Sequence, residues 1–253
     1  MAAAPQGPEL PADLDYADLD ADIRREMRSL SKQTAETVGK HLLAAGMLLE
    51  DDPEAALEHA RAARARASRI GVVRETVGYV AYAAGEWAEA LSDLRAAKRI
   101  TGSSEYLPVI ADCERALGRP ERALDLARSP EADKLSPAEQ AEMLIVSAGA
   151  RRDMDQLPAA IALLRPVATG KVEGPWVARV QYAYADALLA AGQPDEAARW
   201  FGAAAENDED EETDAAERLA EMLDSGDLDA PGLEPPALDT PDESDESDQP
   251  EGE

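Results

Sequence analysis

Few side chains in this 253-residue sequence carry reactive chemistry: two His, one Cys and a large stock of carboxylates. His41 and His59 stand 18 residues apart, and no third nitrogen or thiol completes the tetrahedral set that a zinc ion takes. They are expected in surface or partly buried structural roles. Cys113, in "VIADCERALG", reads as a small hydrophobe inside a helix, with an exposed redox thiol beside Arg115 as the second reading. A single cysteine forms no internal disulfide, which fits a reducing compartment. The phosphate-cradling GxxxxGK[ST], the nucleophile elbow GxSxG, the zinc motif HExxH and the dinucleotide motif GxGxxG do not occur. No catalytic, cofactor or metal residue is assigned, and the chain is not expected to be an enzyme.

One basic run tests for nucleic-acid binding. "HARAARARASRIGVVR" packs Arg61, Arg64, Arg66, Arg69 and Arg74 into a short stretch. At about 100° per residue the first four spread over roughly 200° of a helix, too wide for one phosphate-facing stripe. Nucleic acid is therefore not an expected partner. Two further readings of these arginines are that they lie along the surface on their aliphatic stems, or that they receive the acidic tail.

The elements that would position such groups are helices. Apolar residues are 45% of the chain and aromatics only 4%, so Ala, Leu, Val and Ile must build the core, a composition that favours helix over strand. Apolar residues recur three and four apart through 34–49, 72–84, 87–100, 107–117, 139–150, 176–191 and 194–205. Breaks fall at "EDDPE", "AGEW", "LGRPE", "DMDQLP" and "AGQPDE", where Pro and acids suit the first turn of a following helix. Taking Asp51, Gly85, Gly118, Asp155 and Gly192 as the turn residues, the intervals are 34, 33, 37 and 37. Five residues past each turn stands an alanine: Ala56, Ala90, Ala123, Ala160 and Ala197. Seven before each stands another small residue: Ala44, Gly78, Ala111, Ala148 and Ala185. Small residues at fixed points let two helices approach at the short end of the usual 8 to 10 Å range.

This spacing resembles the tetratricopeptide repeat, a helix-turn-helix unit of about 34 residues, over residues 34–207. The second unit (Gly78, Gly85, Ala90, Leu94, Ala97) and the fifth (Ala185, Gly192, Ala197, Phe201, Ala204) match best. The others are degenerate, and the middle is also compatible with a HEAT-like array. The resemblance implies an all-α, right-handed solenoid of about five hairpins over 18–224, with cap helices near 18–30 and 213–224. Ser31 and Thr213 are expected to cap the helices that follow them. The first helices of the units would line a groove, which by register points to His41, Glu75, Tyr79, Tyr82, Asp112, Arg115, Arg152, Arg179, Tyr182 and Asp186 as contacts for a protein or peptide partner. Tyr79 and Tyr82 have a second reading, as packing between neighbouring units. The family's clamp for a chaperone's terminal carboxylate uses Asn in the first helices, whereas the sole Asn here, Asn207, lies outside them.

Charge divides the chain differently. Of the net −28, residues 206–253 contribute −20, while 24–205 are nearly balanced at −2. The stretch 225–253, rich in Pro, Gly, Ser and carboxylates, is expected to be a disordered acidic tail, and 1–17 a loose acidic N-terminus. "MAAAPQGPEL" has no secretory pattern, and the longest apolar stretch, 42–49, falls well short of the roughly 20 residues of a membrane span. The expected location is cytoplasmic, with no membrane partner. The expected function is a protein-binding adaptor; the alternative is a structural protein that self-associates into a homo-oligomer or is inhibited by its own tail.

Overall fold

The computed structural model describes residues 7–171 and 174–225. Among them are twelve α-helices, three short 3-10 turns and no strand. The expected tail lies, from residue 226 on, outside the described residues.

The contacts divide the chain into two compact units, Met1–Ser136 and Pro137–Glu253. The first holds α1 (Ala21–Glu26), α2 (Lys32–Leu48), α3 (Pro53–Ala67), α4 (Gly71–Ala83), α5 (Trp87–Thr101), α6 (Leu107–Ala116) and α7 (Pro120–Ala127). The second holds α8 (Pro137–Asp153), α9 (Leu157–Ala168), α10 (Val177–Ala190), α11 (Pro194–Asn207) and α12 (Ala215–Ser225). From α2 to α7, and again from α8 to α12, each helix packs on the next in sequence, with α2–α3, α4–α5 and α10–α11 the most extensive pairs. The helices meet as hairpins at the breaks read from the sequence.

Four of those five breaks have one geometry. Gly85, Gly118, Asp155 and Gly192 all take left-handed backbone, with φ of 74°, 72°, 58° and 75°. At each, the amide of the turn residue donates to the carbonyl three residues back, and the next amide to the carbonyl five back; Gly85 N–H to Tyr82 and Glu86 N–H to Ala81 are one such pair. This closing motif satisfies carbonyls that the helix end leaves open, and it needs a residue that tolerates positive φ. The next helix then starts two residues later. The first break differs: Asp52 accepts the Ala55 amide through its side chain, with Pro53 opening α3.

The ten small residues at the fixed offsets are all buried. At Gly78 the close approach is visible: a Cβ there would sit 2.5 Å from the Leu94 side chain, so the column admits Leu94 of α5 against the α4 backbone. Three buried clusters follow. Two belong to the first unit, one around Val38, Ala63 and Val73, the other around Val77, Leu94 and Ile110; the third, around Leu164, Tyr184, Leu188 and Phe201, fills the second unit.

At the beginning of the chain, residues 7–17 pack against α2 and α3. Leu14 and Leu19 are buried, the Tyr16 ring lies on Gly39, and Gly7 sits against Ala62 and His41. Ser31 caps α2 as expected, its hydroxyl accepting from the Thr34 amide at 3.2 Å. Thr213 does not cap in that way: its hydroxyl donates to Asp208 at 2.6 Å, and α12 begins two residues on. The third hairpin's second helix, α7, is only eight residues long and ends before Pro130, which cannot continue it.

Candidate partner-binding faces

In the first unit, Glu75, Tyr79 and Tyr82 lie along one face of α4, because residues three, four and seven apart share a helix face. They reach toward the chain that follows. Tyr82 donates its hydroxyl to Asp112 Oδ2 at 2.5 Å, and Arg115 Nε donates to Asp112 Oδ1 at 2.8 Å. Asp112 thus joins α4 to α6. Two turns away along α4, Tyr106 donates to Glu75 Oε2 at 3.0 Å, and the Tyr79 and Tyr106 rings are 6.4 Å apart. The result is a half-buried strip of alternating aromatic and charged groups on α4 and α6.

Burial shapes its titration. Desolvation pushes the Glu75 carboxyl above the usual range, opposed by the Tyr106 hydrogen bond. Tyr82 is held well above an ordinary phenol by burial and then by Asp112. The Tyr82 phenol therefore stays protonated near neutrality and donates its hydrogen bond to Asp112.

His41, the remaining residue assigned to the first unit's groove, lies elsewhere. It is 2% exposed and its Nδ1 is 3.1 Å from Nδ1 of His59, between α2 and α3. Burial, then the neighbouring His59 and Arg66, lowers its pKa to about 4. The pair forms a neutral, buried hydrogen bond. Among the described residues no group of three or more potential ligands could hold a metal ion. Cys113 is fully buried, with its thiol pushed up to about 12 chiefly by desolvation, which matches its reading as a small hydrophobe.

In the second unit, Arg179, Tyr182 and Asp186 share a face of α10. Asp186 pairs with Arg152 of α8 and lies 3.6 Å from Arg218 of α12. Arg179 reaches Glu142 at 2.8 Å and Glu212 at 3.3 Å. The Tyr182 ring meets Phe201 edge-on at 5.3 Å, and burial followed by a hydrogen bond to Asp214 moves its hydroxyl up to about 12. Each of the nine remaining assigned residues is therefore on a partly exposed surface, in one strip or the other.

No family model matches the chain, and no curated protein matches it significantly.

Four of the five arginines of the basic run, on α3 and α4, are engaged internally. Arg61 and Arg64 hold Glu89 at 2.6 and 2.7 Å, Arg64 and Arg74 clamp the buried Asp93, and Arg66 donates to the Ala62 carbonyl. The sequence reading missed the two acidic partners, Glu89 and Asp93, because they come from α5, 19 to 29 residues on. It also missed Glu114, which is fully buried although charged. A signal was present: Glu114 falls four residues after Ile110 and seven after Leu107, on the face that carries the core of α6.

Proposed function

We propose that the chain is a non-enzymatic adaptor, built from tetratricopeptide-like hairpins, that holds a segment of a partner protein against the first helices of its hairpins. The observation that carries this reading is the strip formed by Glu75, Tyr79, Tyr82, Asp112 and Arg115, where aromatic faces and paired charges lie half-buried and fixed before any partner arrives. Tyr and Arg are the side chains that most often anchor interfaces. Their mutual hydrogen bonds restrict them in advance, so less freedom is lost on association. The reading places the protein in a reducing compartment such as the cytoplasm, where Cys113 stays a thiol.

The test is affinity capture from the native cell with the wild type and with Tyr79→Ala/Arg115→Ala, both first shown to be folded by circular dichroism, followed by cross-linking of any captured partner. The expected result is that partners cross-linked to α4 and α6 are lost with the double variant. Retention of every wild-type partner by the variant overturns the assignment.

A further inference from the structure

A second charged surface of the first unit is built by α5, α6, α7 and the turn between the last two. Glu114 of α6 is completely buried, and three guanidiniums converge on it: Arg95 of α5 at 2.5 Å, Arg119 of the turn at 3.2 Å and Arg122 of α7 at 3.9 Å. A buried carboxylate is costly unless paired, so one or two arginines there are required by the fold. A third is not. The arginine side chains are 44%, 47% and 64% exposed, so they stay partly open to solvent while pairing with Glu114. Arg99, one turn after Arg95 on α5, is exposed and has no ion pair among the described residues. Of the exposed acids of α7, Asp125 is 3.8 Å from Arg128 and Glu121 forms no ion pair with the cluster. Three cations therefore meet the buried Glu114, Arg99 stands one turn along α5, and with Arg128, Glu121 and Asp125 counted five cations stand against three carboxylates, a local surplus of two positive charges on a chain whose net charge is −28.

We propose that Arg95, Arg99, Arg119 and Arg122 form a docking surface for a carboxylate-rich segment of a partner protein. Guanidinium groups form strong charge-assisted hydrogen bonds with carboxylates, and Glu114 already accepts one from Arg95 and one from Arg119 within the fold. The alternative polyanion, nucleic acid, carries a charge about every 1.7 Å along a duplex and extends past so small a patch onto a strongly acidic molecule. A short acidic segment needs only the local surplus, because charges beyond about 8 Å are largely screened at physiological salt. This surface is independent of the Tyr79 and Tyr82 strip.

The experiment uses the full chain and a fluorescein-labelled oligoglutamate peptide, read by anisotropy at low and at about 0.15 M salt. Arg99→Gln/Arg122→Gln removes two surplus charges while Arg95 and Arg119 keep Glu114 paired. Arg28→Gln/Arg69→Gln removes the same charge from exposed positions elsewhere in the unit. The expected result is saturable binding that weakens with salt, falls at least about fivefold in R99Q/R122Q and changes by less than about twofold in R28Q/R69Q. Absence of saturable binding, equal losses in the two variants, or tighter binding of an oligouridylate of the same length would each overturn the proposal.

Discussion

At the scale of single residues, the buried polar groups make the sharpest predictions. His41 and His59 are 2% and 5% exposed, and burial is the leading cause of the lowered pKa of both. Above pH 6.5 the folded and unfolded chains both hold His41 neutral. Between that value and about 4 the unfolded chain binds a proton that the folded chain refuses, so acidification favours unfolding. The stability from this pair is present above pH 6.5 and lost as pH falls toward 4. Urea unfolding at several pH values should show a steeper acid loss for the wild type than for His41→Leu/His59→Leu, whose curve keeps only the carboxylate contribution; parallel curves would refute the effect. Asp93, 1% exposed between Arg64 and Arg74, gives a second prediction. Asp93→Asn should lower stability by about 2 kcal/mol, below the 3 to 5 typical of a broken buried pair because both arginines are partly solvated; a midpoint unchanged in urea would show that they find other partners. Neither contact was legible in the sequence. Each joins residues on different helices, and their distance follows from how those helices cross. Glu114 was closer to legible, since its register with Leu107 and Ile110 alone marks it as buried.

At the scale of elements, the turns were the most readable feature. Gly tolerates left-handed backbone and Pro opens helices, so both act through their own dihedrals and need no knowledge of the rest of the fold. Asp155 shows the limit: the column placed it as a turn residue, but only the structure shows it at φ 58° with the bonding of the glycine turns. Gly85→Ala should cost about 1 to 2 kcal/mol, and Asp155→Gly should gain up to about 1 kcal/mol, as left-handed backbone is strained for residues with a Cβ. Thermal unfolding checks both signs. A destabilising Asp155→Gly would mean that the aspartate side chain contributes more than its backbone costs. Thr213 was misread because a hydroxyl before a helical pattern suggests a cap, whereas Asp208 engages it from the preceding turn.

At the scale of the whole molecule, composition and period gave the helical class, and the sorting of charge located the acidity at the ends. The division near residue 136 was not anticipated, although Pro130 and Pro137 bracket it. Each unit has its own buried clusters. Phe201→Ala, which empties the centre of the second, should cost about 3 to 5 kcal/mol there. In hydrogen exchange, amides of α10 and α11 should lose protection while those of α2 and α3 keep theirs. Loss across both sets would mean that the chain opens as one cooperative body.

The uneven period also has a physical location. Four of the five hairpin turns are alike, but the chain between hairpins runs from only 68–70 and 102–106 early on to 128–136 and 169–176 later. The added length falls where one pair hands over to the next, outside the hydrogen-bonded corners. A protein engineer splicing in an epitope or reporter should therefore choose the 128–136 handover and leave the corners at Gly85 and Gly192 untouched.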